Sequence, residues 1–474
     1  MNAHFFVLFI LFITKVFGKL PQKCSANYHK SVQQITTKVF GKLFFCYNVY
    51  EVAMKYKRRI IEKQIKKNLE IFGAINIEGI KQCGKTTTAQ KFSKTLIKLQ
   101  DPDNLKTYKE TIEYKPSLLL EGEKPLLIDE WQDFPIMWDA VRTYVDSAMG
   151  KKGLFILTGS STHNKLNTMH TGTGRIHTMK MYPMSLYETG ESSGKISLQD
   201  LFDKKIKVNG LKSNLSFEDL AKAICRGGWP STLNLKKYEN QIEIPKDYVN
   251  QICNVDISKI DNIKRSPEIT RRILKSYARN VATLATSKTL IKDCSFKDEG
   301  SKTTFYDYTT KLEDLNVIDN ITAWNPKIRS ASAIRSTNKR LFVDPSLATS
   351  SLGISYIDLI KDLRTYGFVF ENLCSRDLKI YSSSLNGELS YYHDRYGLEI
   401  DFVLHLNDGR YALIECKLGG NQIEKAKNNL LKVKQLIKEN GQREPDLMII
   451  LTAEDRAYEI TDGILIIPIS LLKD

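Results

Sequence analysis

The sequence has no cysteine pattern typical of a disulfide framework or a structural zinc site. Its eight cysteines are scattered, none of them forms a C-x-x-C pair, and the seven histidines do not cluster at zinc-ligand spacing. This usage is typical of a reducing compartment, in which each cysteine acts as a small buried hydrophobe. The sequence therefore predicts a cytoplasmic protein.

Long apolar runs are also scarce. The segment HFFVLFILFIT (4–14) has nine consecutive apolar residues, too few to cross a bilayer but enough for the apolar region of a signal peptide. No Lys or Arg precedes it, and the hexapeptide KVFGKL occurs twice nearby without helical or strand periodicity. We expect residues 1–53 to be a doubtful N-terminal extension or signal-like segment, with translation starting at Met54 and no membrane partner. The alternative is that this segment directs secretion.

Acidic residues are outnumbered: the chain has 54 Asp and Glu against 70 Lys and Arg, a formal net charge of +16. Such an excess favours a polyanionic partner such as nucleic acid, although lysines on solvated faces would give the same total. A content of 42% apolar and 26% charged residues is usual for a folded chain. Because 474 residues exceed the size of one core, we expect several domains.

A complete phosphate-loop motif stands at residues 79–86, which read GIKQCGKT and match G-x-x-x-x-G-K-[ST]. It follows the apolar stretch GAINIEG (73–79), a predicted strand, and precedes TTAQKFSKTLIKL (87–99), a predicted helix. This order is the one that places phosphate oxygens at a helix N-terminus.

The residue types in this loop suit ATP. Gly79 and Gly84 allow backbone N–H groups to close around phosphate oxygens. Lys85 is expected to reach the β- and γ-phosphates, and the Thr86 hydroxyl to bind Mg²⁺.

A second acidic motif, LLIDEWQ (126–132), is an apolar strand that ends in carboxylates. Asp129 would bind Mg²⁺ through water, and Glu130 would polarise the attacking water. The alternative is a strand end that runs into a helix cap, but the phosphate loop upstream favours the catalytic interpretation.

A third strand, GLFILTGSS (153–161), follows the amphipathic helix MWDAVRTYVDSA (137–148). The alternation predicts a parallel sheet with active groups at its carboxyl edge. Thr158 or Ser160 would sense the γ-phosphate, or would only cap the strand. Arg175, which follows two glycines, is a candidate arginine finger for its own subunit or a neighbour, or a solvated loop residue.

Several motifs in order carry a family resemblance. GIKQCGKTTT, LLIDEWQ, LTGSS, HTGTGRI and YPMSLYE, followed by RGGWP, LFVDPSLA, FVFENL, EIDFV and IECKLGG, resemble the prokaryotic AAA-type P-loop ATPases whose C-terminal half is a domain of poorly defined function. The resemblance runs from about residue 54 to the end. It implies that the chain binds ATP and that residues 54–203 form an ATPase core.

The middle of the chain is helical and charged. Residues 204–265 suit a helical lid over the nucleotide site. Three helical segments and a basic stretch over 266–345 resemble a winged helix, with Lys302 to Lys311 as the recognition helix. The residues expected to meet DNA are Thr303, Thr304, Tyr306 and Tyr308 on that helix and Lys327, Arg329, Arg335, Lys339 and Arg340 in the wing. Winged helices also bind proteins, so a protein partner is the alternative.

Residues 355–474 change to α/β character, with predicted helices over 356–380 and 422–439. Glu415 and Lys417 project from one strand face, and a hairpin around the turn NDG would bring Asp401 beside them. Glu371 lies on a preceding helix at the edge of an apolar stripe, where an unpaired carboxylate would be costly.

This arrangement is that of restriction-endonuclease-like nucleases. Asp401 and Glu415 would bind Mg²⁺, with Glu371 as the third carboxylate, and Lys417 would position the attacking water. The alternative is a surface salt bridge across a hairpin.

The sequence thus predicts an α/β chain: a P-loop ATPase with a parallel sheet, a helical lid, a winged helix and a restriction-endonuclease-like C-terminal domain. The predicted function is Mg²⁺-dependent ATP hydrolysis in association with double-stranded DNA, with a nuclease-like domain whose activity is a separate question. The alternative is a nucleotide-dependent switch or scaffold that binds protein partners and has no nuclease activity.

Overall fold

The computed structural model describes residues 56–160, 171–295, 301–327, 336–420 and 422–474. The chain separates into two compact units, Met1–Tyr56 and Lys57–Asp474, and every element named below belongs to the second. The expected extension over 1–53 lies outside the described residues. Within the described ranges, every helix is too short or too polar to cross a bilayer.

Five strands form the first sheet. They are β1 (Ala74–Glu78), β2 (Thr95–Lys98), β3 (Leu126–Asp129), β4 (Phe155–Gly159) and β5 (Ile176–Lys180). Their order is β2-β3-β4-β1-β5, and all neighbours are parallel. β1 is buried along its whole length, as expected for a strand covered on both faces. The carboxyl ends of β1, β3 and β4 therefore meet at one edge.

Four helices accompany this sheet: α1 (Glu62–Ile71), α2 (Lys85–Gln90), α3 (Leu105–Tyr114) and α4 (Ile136–Ser147). The prediction of one helix over 87–99 is wrong, because α2 ends at Gln90 and β2 follows. The β-branched and apolar side chains of TLIK pair with β3, and Ile97 is buried there. Sheet pairing thus outweighs the helical pattern that the sequence suggested.

A mainly helical segment follows. Its elements are α5 (Leu186–Thr189), β6 (Ile196–Ser197), α6 (Leu198–Phe202), α7 (Phe217–Arg226), α8 (Tyr238–Gln251), α9 (Ile257–Lys259), α10 (Pro267–Arg279), α11 (Ser287–Asp293) and α12 (Ser301–Asp314). A π-helical segment, Ile252–Asp256, joins α8 to α9. Ser216, Ser266 and Thr286 begin α7, α10 and α11, since each hydroxyl accepts a backbone N–H of the first turn.

The chain then returns toward α12 through two antiparallel bridges, Ile318 with Phe342 and Ile321 with Lys339. Three helices follow: α13 (Pro345–Leu352), α14 (Tyr356–Lys361) and α15 (Leu363–Ser384). The sequence predicted one helix over 356–380. Asp362 divides it, because its carboxylate accepts the N–H groups of Arg364 and Thr365 and starts α15.

The second sheet is mixed. Its strands are β7 (Gly387–His393), β8 (Glu399–Leu406), β9 (Tyr411–Lys417), β10 (Leu447–Thr452), β11 (Tyr458–Ile460) and β12 (Ile464–Pro468), in the order β11-β12-β10-β9-β8-β7. α16 (Gln422–Glu439) connects the parallel strands β9 and β10. The last strand, β13 (Leu472–Lys473), pairs with β6. Buried apolar residues from both sheets and the helices between them form one continuous core, to which Ile77, Trp229, Phe370 and Ile414 belong.

Candidate functional site

The phosphate loop lies between β1 and α2, at the carboxyl edge of the first sheet. Lys85 is 5% exposed, and its Nζ donates to the carbonyl oxygens of Gly79 (2.9 Å) and Ile80 (3.1 Å), so the side chain lies across the loop. Gly84 caps α2 in the left-handed region at φ 100°. The loop therefore has a cationic side chain and a helix start at the place predicted for phosphate.

Gly79 is required by a close backbone approach. Its φ is 155°, and a Cβ at this position would lie 2.1 Å from the carbonyl oxygen of Met181. Any larger residue would push the loop away from the segment that follows β5.

Asp129, at the end of β3, connects the loop to the neighbouring strand β4. Its Oδ1 accepts hydrogen bonds from the hydroxyls of Thr86 (2.7 Å) and Thr158 (2.6 Å). A hydroxyl and a carboxylate are oxygen ligands that suit Mg²⁺, so these side chains fit the predicted cation. Thr158, which the sequence offered as a γ-phosphate sensor, donates to Asp129, and the sensor role stays a prediction.

Glu130 is in the left-handed region, at φ 56° and ψ 47°. Such a backbone is unfavourable for a residue with a side chain, and it is found where function requires a particular orientation. The Glu130 carboxylate accepts from Ser160 Oγ at 3.0 Å and from Gln132 Nε2. The predicted pair Glu130 and Ser160 are thus in contact at the sheet edge.

Arg59 is a residue that sequence reasoning missed. Its buried guanidinium donates to the carbonyl oxygen of Cys83 in the phosphate loop (2.7 Å), to that of Tyr182 (2.8 Å) and to Glu188 Oε1 (3.0 Å). Glu188 also forms a capping box with Ser185 at the start of α5. The S-x-x-E pattern in YPMSLYE predicts this cap, but no local pattern links it to Arg59.

The π-helical segment also contacts the loop. Lys81 Nζ lies 2.7 Å from Asp256 Oδ1, which joins the phosphate loop to the end of this segment. Single π turns are often found at functional positions.

Arg175 lies at the opposite edge of the sheet. Its carbonyl oxygen accepts the N–H of Ala74, the first residue of β1, and its exposed guanidinium pairs with Asp146 at 2.8 Å. β1 has five residues and spans about 13 Å, so Arg175 is far from the phosphate loop of its own chain.

The four residues predicted for a second site come together with two that were not predicted for it, Lys339 and Glu399. Lys417 Nζ lies 2.8 Å from Asp401 Oδ2 and 2.5 Å from Glu415 Oε2. Lys339 Nζ lies 2.6 Å from Glu371 Oε1 and 3.6 Å from Asp401 Oδ1. These side chains, with Glu399 at 2.9 Å from Lys339, are called the carboxylate cluster below.

Glu371, Asp401 and Glu415 are buried, whereas Glu399 is partly exposed, and the pKa values of the three buried carboxylates reflect their burial. Burial raises the pKa of Glu371 to about 7 and that of Glu415 to about 8, and repulsion from Asp401 adds to both shifts. Burial also acts on Asp401, but Lys417 and Lys339 outweigh it and keep its pKa well below the usual range. Asp401 therefore stays ionised where Glu371 and Glu415 take up protons.

The cluster does not have the form of a metal site. Across the described ranges, no set of three or more His, Cys, Asp or Glu side chains is spaced to hold a metal ion. In the cluster the reason is that the two lysines stand between the carboxylates. This arrangement does not fit the Mg²⁺-binding role that the sequence predicted for Asp401 and Glu415. That role stays a hypothesis.

Several residues predicted to contact DNA are used inside the protein. Lys339 is fully buried in the carboxylate cluster. Arg340 is 8% exposed and donates to the carbonyl oxygen of Ala285 and to Tyr277. Tyr308 is also buried, whereas Thr303, Tyr306 and Lys327 are exposed and Thr304 is partly exposed. Arg329 and Arg335 lie outside the described residues.

Helix α15 carries Glu371 and also contacts the start of α5, which follows the first sheet. Asp377 accepts the N–H of Leu186 at 3.0 Å. Its neighbour Arg376 pairs with both Asp377 and Asp344. One helix thus forms part of the carboxylate cluster and of the boundary with the first sheet.

Three family profiles match the chain. Residues 72–190 match an AAA domain, residues 217–358 a domain of unknown function (DUF8612), and residues 366–472 a second domain of unknown function (DUF4143). No curated protein matches.

Solved structures show a weak likeness. The Walker-type ATPase of Pyrococcus abyssi is 14% identical, covers 62% of this chain and 96% of its own, and has a TM-score of 0.38. The replication initiator DnaA bound to AMPPCP and single-stranded DNA is 15% identical, with 54% and 86% covered and a TM-score of 0.24. Drosophila ORC bound to DNA is 11% identical, with 59% and 89% covered and a TM-score of 0.20. Scores this low carry no functional argument.

The AAA profile and the geometry at the sheet edge agree. The matched residues contain the phosphate loop, Asp129 and Glu130, on a five-stranded parallel sheet. Residues 72–190 therefore form an AAA-type P-loop ATPase domain.

Proposed function

We propose that this protein binds and hydrolyses ATP with Mg²⁺ and couples the nucleotide state to a DNA-associated module. The observation that carries the ATPase proposal is the position of Asp129, which accepts from Thr86 of the phosphate loop and lies beside the oriented Glu130. The cytoplasm, where ATP is available, is the proposed location.

Each residue of the ATPase site has a proposed role. Lys85 and the loop N–H groups bind the phosphates, while Thr86 and Asp129 hold Mg²⁺. The cation supplies charge neutralisation on the phosphate oxygens. Glu130 accepts a proton from the attacking water, and Ser160 fixes the Glu130 carboxylate for that task.

Glu130→Gln and Lys85→Ala separate these roles. Glu130→Gln removes the base but leaves the loop, so hydrolysis should fall by about 10²–10⁴-fold while ATP binding persists. Lys85→Ala should lose both. ATP turnover and equilibrium binding of a fluorescent ATP analogue would be measured with chains starting at Met54. Unchanged turnover in Glu130→Gln would contradict the assignment.

The winged-helix proposal is supported by the order α10, α11, α12 and the two antiparallel bridges that follow. The charge distribution points to α10 rather than α12 as its DNA-facing helix. On α10 the exposed charged side chains are Arg271, Arg272, Lys275 and Arg279 against one acid, Glu268. The exposed charged side chains of α12 are Lys302, Asp307 and Glu313. Phosphate contacts would therefore come mainly from α10.

A triple variant Arg271→Glu, Arg272→Glu and Lys275→Glu tests this surface. It should weaken binding to double-stranded DNA and flatten the dependence of affinity on salt, because fewer counterions are released. The matched comparison is between the single variants Arg272→Glu on α10 and Lys302→Glu on α12, which change the net charge equally, and Lys302→Glu should weaken binding much less. ATP turnover with and without DNA shows whether the two activities are coupled. Full DNA binding by the triple variant would exclude α10 as the DNA-facing helix.

The nuclease-like interpretation of the C-terminal domain rests on the contact of Asp401, Glu415 and Lys417 between β8 and β9. With two lysines among the carboxylates, we derive no cleavage step. Glu415→Gln would be compared with the unchanged chain for Mg²⁺-dependent cleavage of DNA. Cleavage that disappears in the variant would support a nuclease, and cleavage retained in it would assign the activity elsewhere.

A second candidate function is a nucleotide-dependent scaffold that binds proteins. The burial of Lys339 and Arg340 favours it, because two of the cations expected on a DNA-binding wing serve internal contacts. Absence of DNA binding at low salt, with normal ATP turnover, would favour this candidate.

A further inference from the structure

Lys339 enters the carboxylate cluster from another part of the chain. It lies within the segment 217–358, whereas Glu371, Glu399 and Asp401 lie within 366–472. The Lys339 side chain is 0% exposed, and its Nζ also lies 3.4 Å from the carbonyl oxygen of Asp401. The bridge to Ile321 fixes the backbone on which it is carried.

The oxygens around Lys339 are those that a divalent cation would need. Glu371 Oε1 at 2.6 Å and Asp401 Oδ1 at 3.6 Å both face its ammonium group. Mg²⁺ binds carboxylate oxygens at about 2.0–2.1 Å, so an ion held by these two oxygens would lie within a few ångströms of Nζ. Two cations so close in a buried site repel each other strongly.

A lysine is an unusual choice for this position. Burying an ammonium group is unfavourable unless carboxylates compensate it, and Lys339 has three as neighbours. The cluster has four carboxylates and two lysines, so its net charge becomes negative as Glu371 and Glu415, whose pKa values are raised, ionise. Lys339 and Lys417 are the two cations of the chain that lie among these carboxylates.

We propose that Lys339 excludes divalent metal ions from the carboxylate cluster, so that removing its ammonium group creates a metal site at Glu371 and Asp401. This inference rests on the proposed likeness of the cluster to a nuclease site. It is independent of the ATPase proposal.

Mn²⁺ binding to the full chain tests the inference. Without nucleotide, Mn²⁺ would be titrated into the unchanged protein, into Asp401→Asn, into Lys339→Met and into the double variant that combines both changes. Free Mn²⁺ would be followed by electron paramagnetic resonance. Lys339→Met should bind about one additional Mn²⁺, at least about tenfold tighter than the unchanged protein binds ions at this cluster. The double variant should lose this gain, because Asp401 supplies the ligand.

Two further variants allow for effects on folding. The control variant Lys379→Met removes a different, largely buried lysine, which lies on α15 and pairs with Asp319. This variant should bind Mn²⁺ like the unchanged protein. If Lys339→Met is unstable, Lys339→Met with Glu399→Gln leaves one carboxylate fewer without a partner. For this variant Mn²⁺ should raise the thermal midpoint, which requires binding to the folded state.

The outcomes separate this inference from the proposed function. Equal or tighter Asp401-dependent binding by the unchanged protein would overturn exclusion but support a nuclease-like metal site. Absence of Mn²⁺ binding in every Lys339 variant would overturn both the exclusion by Lys339 and the nuclease-like metal site. Neither result bears on the ATPase proposal, which ATP turnover tests separately.

Discussion

Arg59 and Glu188 form a buried ion pair, with 3.0 Å between Nε and Oε1, although they lie 129 residues apart. The same arginine donates to the carbonyl oxygen of Cys83 in the phosphate loop. A single side chain therefore connects the segment before α1, the loop and the start of α5.

Loss of this pair should disturb both stability and nucleotide binding. In Arg59→Ala the Glu188 carboxylate loses its charged partner inside the protein, a change that costs about 3–5 kcal/mol. We expect a lower urea midpoint and weaker ATP binding, since Cys83 also loses its donor. Arg59→Ala combined with Glu188→Gln should recover part of the stability but not the ATP affinity. If the single variant unfolds at the wild-type midpoint, the pair is not structurally important.

Substitution of Gly79 should lower ATP affinity by more than the unfavourable positive φ alone would cause. In Gly79→Ala the new Cβ would meet the Met181 carbonyl oxygen, and overpacking of this kind costs about 1–3 kcal/mol. ATP affinity should fall with it. Gly174→Ala is the control, because Gly174 also has a positive φ, 79°, but no heavy atom within 4 Å of the added Cβ. Equal loss of affinity in both variants would show that the contact with Met181 is unimportant.

Arg175 should affect hydrolysis only through a neighbouring subunit. Its guanidinium is bound to Asp146 at the sheet edge opposite the loop. We expect Arg175→Ala to leave turnover unchanged at protein concentrations where the chain is monomeric. If the chain associates, turnover should fall only at the higher concentrations. Activity and mass measurements over a dilution series check this, with Arg142→Ala as a control that also contacts Asp146. A loss of turnover in the monomer would place Arg175 in its own site.

The ion pair of Asp261 with Arg265 should make the free energy of unfolding depend on pH in the acidic range. Hydrogen bonding to Arg265 lowers the pKa of Asp261 to about 2, from an ordinary value near 3.8. Because the folded-state pKa is the lower one, its contribution is complete above about pH 4 and is lost as the pH falls toward 2. Asp261→Asn should therefore destabilise the protein at pH 6 and progressively less below pH 4. Urea midpoints across this range check it, and a constant difference would contradict the assignment.

Features that depend on neighbours in the sequence were predictable. The phosphate loop, Asp129 with Glu130, and helix α16 over 422–439 follow from local patterns of residue type. Features set by distant partners were not. Lys339 has the charge expected of a wing residue, and nothing near it in sequence indicates burial among Glu371, Glu399 and Asp401. β2 was missed for the same reason, since its pairing with β3 decides its conformation.

Helix α15 has a consequence for how this protein can be assembled from parts. It places Glu371 in the carboxylate cluster, yet its Asp377 and Arg376 are bound to Leu186 and Asp344, outside the matched segment 366–472. A chimera that replaced only that segment would leave those two partners facing foreign side chains. Lys57–Asp474 is therefore one structural unit, and exchange of the segment 366–472 alone should lower its stability.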